Sequence, residues 1–310
     1  AYINNVESRN YLIENYFTYD FDINKIHKFN LLAGQSYQKY HDYWYSMNEN
    51  GFNIKDVNYL YDLKYGNYNN ITGNSDVLEH ELQSFYGRIN YNLMDKYLVT
   101  ANFRWDGSTR FGENNKYGFF PSVALAWRLS EENFIKKLNV FDNLKLRLGY
   151  GVTGNQEIPD RISQLKLGTV TGAFIDGSGT PTTGITLTRT PNPDLKWENT
   201  RQFNAGVDFG FFGNRLTGSI DYYYKSTRNV LLQIYSIAPA PTTTMWSNVD
   251  GMKINNKGIE VTLNGDIIRT KDFDWNASLN FAHNSNVVKG LPMSYISVAQ
   301  PSGPGFSEFI

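Results

Sequence analysis

Apolar and polar residues alternate with a period of two through run after run of this chain, and the links between those runs are short and long by turns. In YLVTANFRWD, Tyr97, Val99, Ala101, Phe103 and Trp105 fall on one side and Thr100, Asn102, Arg104 and Asp106 on the other. In LKLRLGY, Leu144, Leu146, Leu148 and Tyr150 alternate with Lys145, Arg147 and Gly149. A helical period would smear those charges around a cylinder, so each run is a β-strand with an apolar and a wet face. The same pattern recurs at 203–209, 216–224, 259–267 and 273–281, and adding 10–24, 28–44, 79–94 and 117–129 predicts about ten strands, several longer than the usual five or six residues.

Tight links are expected at 24–27, 94–96, 212–215 and 269–272, with a helical turn N-capped by Ser130 in LSEENFIKKLNVFDN. Long links rich in Gly, Asn, Pro and Thr fall between them, at 45–77, 106–116, 153–200, 228–256 and from 284 onward. Short turns at one end and long loops at the other are the parity of a transmembrane barrel, with short periplasmic turns and long extracellular loops. The fold class is therefore all-β, a portion of an antiparallel transmembrane β-barrel. Tyr, Trp and Phe gather near strand ends on the apolar faces (Tyr97, Trp105, Tyr117, Trp127, Tyr222, Tyr224, Phe273, Trp275), as two interfacial girdles require. A soluble carbohydrate-binding β protein is the rival with the apolar face turned inward. An open edge in lipid costs several kcal/mol for each unpaired backbone group, so ten strands are expected to be one slice of a larger closed sheet.

Composition excludes more than it proves. No run of 18 apolar residues offers a transmembrane helix, whereas a barrel hides in a mean hydropathy of -0.46. With 29 basic against 30 acidic residues, no electrostatic footprint for nucleic acid exists. The absence of cysteine removes disulfides, thiolate metal sites and a thiol nucleophile. The opening AYINNVESRN has neither the basic nor the apolar region of a secretory signal.

Several motifs imitate chemistry. Gly149, Gly151 and Gly154 spell G-x-G-x-x-G after a strand, but NQEIP follows where a nucleotide-binding helix would be needed, so the glycines are read as a bend where the strand leaves the sheet. Asp20, Asp22 and Asn24 open like a calcium loop, but Lys25 and Leu31 stand where Gly and Glu belong. His27, His41, His80 and His283 keep no metal spacing, and the pair Glu131-Glu132 suits the first turn of a helix better than glycoside hydrolysis. No catalytic residues, metal or cofactor are expected. Tyr40, Tyr43, Trp44 and Tyr45 in one expected outer loop and Trp246 in another present ring faces that suit sugars, or, for Tyr43 to Tyr45, form the outer interfacial girdle.

Specific strings carry a resemblance beyond the pattern. YLVTANFRWDGSTRFGENNKYGFFPSVALAWRLSEENF (97–134), LKLRLGYGVTGNQEIP (144–159), NPDLKWENTRQFNAGVDFGFFGNRLTGSIDYYYKSTRNVLL (192–232) and SNVDGMKINNKGIEVTLNGDII (247–268) resemble the SusC/RagA family of TonB-linked outer-membrane importers. The resemblance implies a 22-stranded barrel around an N-terminal plug in the bacterial outer membrane, energised by the TonB complex and paired with a SusD-like surface lipoprotein that captures glycans or peptides. On that reading residues 1–310 are a middle-to-late barrel portion, without plug, TonB box or closing strands. A passive porin-type channel is the rival within the membrane. By parity Arg88, Arg104, Asp106, Arg128 and Arg147 face the lumen, where they meet a plug or the solute.

Overall fold

The computed structural model describes residues 2–48, 71–175, 181–236 and 239–291. Ten long strands form one antiparallel sheet: β1 (Tyr2–Ile23), β2 (His27–Asn48), β3 (Thr72–Leu93), β4 (Tyr97–Ser108), β5 (Tyr117–Arg128), β6 (Asn143–Asn155), β9 (Glu198–Phe211), β10 (Leu216–Arg228), β13 (Lys253–Arg269) and β14 (Asp274–Lys289). They lie side by side in that order, each paired with its predecessor. The two breaks in numbering are hairpins that rise from the long-link end, β7 (Lys166–Ile175) with β8 (Pro181–Arg189) and β11 (Leu231–Tyr235) with β12 (Thr244–Asn248). The sequence pattern predicts neither hairpin and reads both segments as plain loop. Of the other long links, 49–70 and 292–310 lie outside the described residues.

The short turns fall where the alternation breaks. Asn24 and Lys25 have φ of 54° and 56°, and Met94 and Asp95 have 55° and 56°. Left-handed backbone at both central residues is the pattern of a type I′ turn, whose twist matches that of the strands it joins. The Ile26 N–H to the Ile23 carbonyl (3.2 Å) and the Lys96 N–H to the Leu93 carbonyl (3.0 Å) close the two turns. The fifth link departs from expectation. Ser130 lies within a 3-10 turn, Leu129–Glu131, and caps nothing, while the single helical turn α1 (Asn133–Lys136) starts after Glu132 without a side-chain cap. Glu132 is occupied elsewhere, since its carboxylate accepts from the Tyr97 hydroxyl (2.7 Å), the Lys96 ammonium (3.1 Å) and the Trp127 indole N–H (3.2 Å).

Register keeps every apolar row on one face of the sheet. Phe85 sits opposite Trp105 and Trp105 opposite Phe119, while Leu148 pairs with Ala205 and Val207 with Ile220. Nothing in the described residues covers this face, and Phe119, Leu279 and Phe281 are 60%, 61% and 58% exposed. The buried apolar core lies instead at the long-link end, where Phe111, Ile158, Ile162, Leu195, Trp197 and Leu231 form a cluster from loops and the β11–β12 hairpin. A sheet bare on its greasy side and capped by a small core at one end is inverted relative to a soluble sandwich, and fits a wall facing lipid.

Height along the wall follows from strand geometry. From Arg128 at the short-turn end to Phe119 is nine residues, about 30 Å along the strand and about 23 Å along the membrane normal at a tilt of about 40°. Trp105 and Tyr117, with ring centroids 5.1 Å apart, stand at that upper level, and Tyr97 and Trp127, 5.9 Å apart, at the lower. The spacing matches an apolar band about 25 Å tall between two aromatic girdles. Strands β1, β2 and β3, at 22 residues each, continue far above it.

Candidate functional site

The polar face of the sheet carries the expected lumen residues on rigid ladders. Arg147 of β6 forks onto Asp208 of β9 with contacts of 2.7 to 3.1 Å, and its Nη2 also reaches Asp221 of β10 at 2.9 Å. Three adjacent strands are thus tied by one guanidinium whose planar donors suit two carboxylates at once. On β4, Arg104 donates to Asp106 (2.7 Å) and to Ser84 (2.9 Å), and lies 5.7 Å above the Tyr86 ring. The other carboxylate oxygen of Asp106 is buried with no hydrogen-bond partner. Arg88 sits exposed on the same face opposite Asn102.

Arg128 is elsewhere. It donates to the Asp95 carbonyl at 3.1 Å and approaches Glu131 at 3.6 Å, so it knits neighbouring turns at the short-turn rim rather than lining the middle of the wall. That rim is a belt of ion pairs. Lys28 donates to both oxygens of Asp95 at 2.9 Å, and this bond, reinforced by Asn92, holds the Asp95 carboxyl below the usual carboxylate range. The Tyr97 hydroxyl, then Lys96 and Trp127, do the same for Glu132.

The aromatic candidates need correction in place. Tyr40, Tyr43, Trp44 and Tyr45 are not in a loop but on β2, paired with Asn10, Glu7, Val6 and Asn5 of β1. The strand predicted over 28–44 is present and runs on to Asn48; it is the loop placement of these rings that fails, because both faces here carry polar and aromatic residues, which hides a period of two. Alternation splits the four residues. Tyr43 and Tyr45 lie on the same face as the apolar band but about 41 Å above the short turns, too high for a girdle around a band of about 25 Å. Tyr40 and Trp44 lie on the polar face. Tyr40 stacks on His80, ring centroids 4.3 Å apart. His80 Nδ1 is 3.1 Å from Asp160, and Asp160 accepts from Arg110 Nε at 2.7 Å. Arg110 also donates to the Gln156 carbonyl at 3.0 Å, so one buried guanidinium pins two loops to the wall beneath the cap. Trp246, on β12, packs against the cap cluster and its carbonyl accepts from Asn192 at 2.9 Å.

Arg110 and Asp160 escaped the sequence reading because they are 50 residues apart in segments without periodicity. The Gly149, Gly151 and Gly154 set lies inside β6, which parts from β5 after Gly151 yet stays paired with β9 through Asn155, so only half of the expected bend is present. A side chain at Gly154 would strike the Phe120 ring, which lies beside the gap that parting leaves.

The model of a family described as TonB dependent receptor-like, beta-barrel, matches residues 2–302. The TonB-dependent receptor SusC of Bacteroides thetaiotaomicron is 41% identical over 212 residues, 68% of this chain and 21% of that protein. The TonB-dependent receptor P39 of Formosa agariphila is 38% identical over 283 residues, 90% of this chain and 26% of that protein. Among solved structures, the RagAB peptide importer in its open-open state superposes with a TM-score of 0.83 at 28% identity, covering 94% of this chain and 31% of that one. The outer membrane transporter YddB of Escherichia coli, at 14% identity and a TM-score of 0.61, shares the fold alone. The chain thus spans about a quarter of the length of these curated relatives.

Proposed function

Because the chain belongs to the TonB dependent receptor-like β-barrel family, we propose that it forms part of the wall of an importer that takes up oligosaccharides or peptides through a plugged barrel driven by the TonB complex. The protein is an outer-membrane protein whose strands cross the bilayer repeatedly. That location sets aside the soluble carbohydrate-binding reading. The observation that carries the proposal is the pairing of a girdled apolar face with a polar face whose charges are held in fixed networks, Arg147 with Asp208 and Asp221 and Arg104 with Asp106. Such a wall suits a polar lumen of either kind; what favours a plugged importer over a porin is membership of the TonB-dependent receptor family.

On this reading Arg88, Arg104, Asp106 and Arg147 meet the plug or the passing solute, and Arg128 belongs to the periplasmic rim. Tyr40 and Trp44, on the inner face near the mouth, are the aromatic residues placed to stack on a solute; Tyr43 and Tyr45 point away from the lumen, and Trp246 supports the cap. The energy source on this reading is the TonB complex, in keeping with relatives described as TonB-dependent receptors, and the capturing partner is a SusD-like surface lipoprotein.

The test is to tag the intact protein, extract outer membranes in mild detergent and identify what co-purifies by mass spectrometry. A stoichiometric surface lipoprotein is expected. A barrel recovered alone, with solute flux that persists without the inner-membrane energy source, would overturn the importer in favour of a porin.

A further inference from the structure

The wall has a split in it. The ladder between β5 and β6 runs from Arg128 opposite Lys145 up to Ser122 opposite Gly151 and stops, although β5 stays paired with β4 up to Tyr117 and β6 with β9 up to Asn155. The next residue up β5 is Pro121, which has no N–H to offer a neighbouring strand. Two strands that part in the middle of a sheet leave a cleft, here of about 530 Å³. Phe120 and Trp197, packed edge to face at 5.3 Å, line its depth.

What lines the mouth is not what the rest of the apolar face presents. Phe119, Pro121 and Tyr150 give an apolar lower wall, and Phe119 is 60% and Tyr150 45% exposed. Arg201, opposite Val152 on the apolar face of β9, and Lys196 give a basic upper wall. Neither cation is in an ion pair among the described residues. The height is that of the upper girdle, about 23 Å above the short turns for Phe119 and a few ångströms more for Arg201. Grease below and unpaired positive charge above, at the level where acyl chains give way to head groups, is the complement of one kind of molecule.

We propose that this cleft holds a phosphorylated lipid of the outer leaflet, its acyl chains against Phe119, Pro121 and Tyr150 and its phosphate against Arg201 and Lys196. A neutral lipid would leave both cations without counter-charge at the edge of a low-dielectric medium, and a water-soluble anion would leave the exposed rings uncovered. The inference rests on membership of the barrel family and not on the identity of the imported solute.

The test uses the intact protein, extracted from outer membranes in mild detergent and analysed by native mass spectrometry for retained lipid, with only folded, membrane-extracted protein compared. The wild type is expected to retain one phosphorylated lipid, and R201A/K196A to retain it on the order of 30-fold less, as expected for two basic side chains at an anionic membrane surface. R201K, which keeps the charge, should hold most of the lipid. P121V, which restores the missing donor and lets the ladder close, should expel it with both cations intact. Equal retention by wild type and R201A/K196A, no lipid on the wild type, or equal retention of the same lipid after enzymatic dephosphorylation would each overturn the proposal.

Discussion

Arg110 is a short reach from everything that holds the cap down. Its guanidinium is 14% exposed, and it answers the charge of Asp160, which is 8% exposed. Removing one member of a buried pair leaves the other uncompensated, a loss of about 3 kcal/mol. Arg110→Ala should therefore free the loop carrying Asp160 while the ladders below stay intact, seen as faster hydrogen exchange confined to residues around 156–165. Glu132 makes a different prediction. Its folded carboxyl is held below its unfolded pKa, so its contribution is present above the unfolded value and is lost as pH falls through the folded one. The rim between β4 and β5 should hold at neutral pH and loosen below about pH 4. Exchange at Tyr97 and Trp127 followed against pH should show that transition, and Glu132→Gln should abolish it. Parity alone placed Arg147 and Arg104 on the polar face, because alternation says which way a strand residue points. It said nothing of Arg110 or Asp160, for a loop has no period from which to read direction.

The turn at Met94 and Asp95 asks a long, unbranched side chain to sit in left-handed backbone. Asn tolerates that region, and Met94 is 56% exposed with no packing to lose, so Met94→Asn should stabilise by about 1 kcal/mol. An upward shift in the urea midpoint of the refolded barrel with unchanged slope would confirm it. Gly154→Ala should act in the opposite sense, since its methyl meets the Phe120 ring where β5 and β6 part. The ten strands were legible because lipid and water demand opposite residues at successive positions. Their upper reaches were not, because above the girdles both faces meet water: Gln35, Tyr37, Lys39 and His41 stand on the face that lower down carries Phe29 and Leu31. The β7–β8 and β11–β12 hairpins were invisible for a related reason. LGTVTG and TMWSN contain strand formers without two contrasting faces.

At the scale of the whole molecule, adjacent positions on β10 separate two solvents. Ile220, 47% exposed, looks outward, and Ser219 looks inward opposite Asp208. Ile220→Arg puts a charge near mid-bilayer and should cost about 2 to 4 kcal/mol, whereas Ser219→Arg gains an acidic neighbour and should be tolerated. Denaturant unfolding in lipid vesicles distinguishes the two; equal costs would mean that this face does not meet lipid. The sheet's outer strands, β1 and β14, are each paired on one side only among the described residues, which makes the ten strands a sector of wall rather than a closed ring.

The height of β1, β2 and β3 gives the protein a waterline. Below it a side chain is chosen by hydrocarbon. Above it, on the same face of the same strands, Lys39 is pinned between Glu79 and Glu81, with His41 beside them. One strand therefore obeys two substitution rules along its length, and the emergent part is free to vary in polar residues while the submerged part is not. A lysine for Ile89 and a leucine for Glu79 are errors of the same kind, committed on opposite sides of that line.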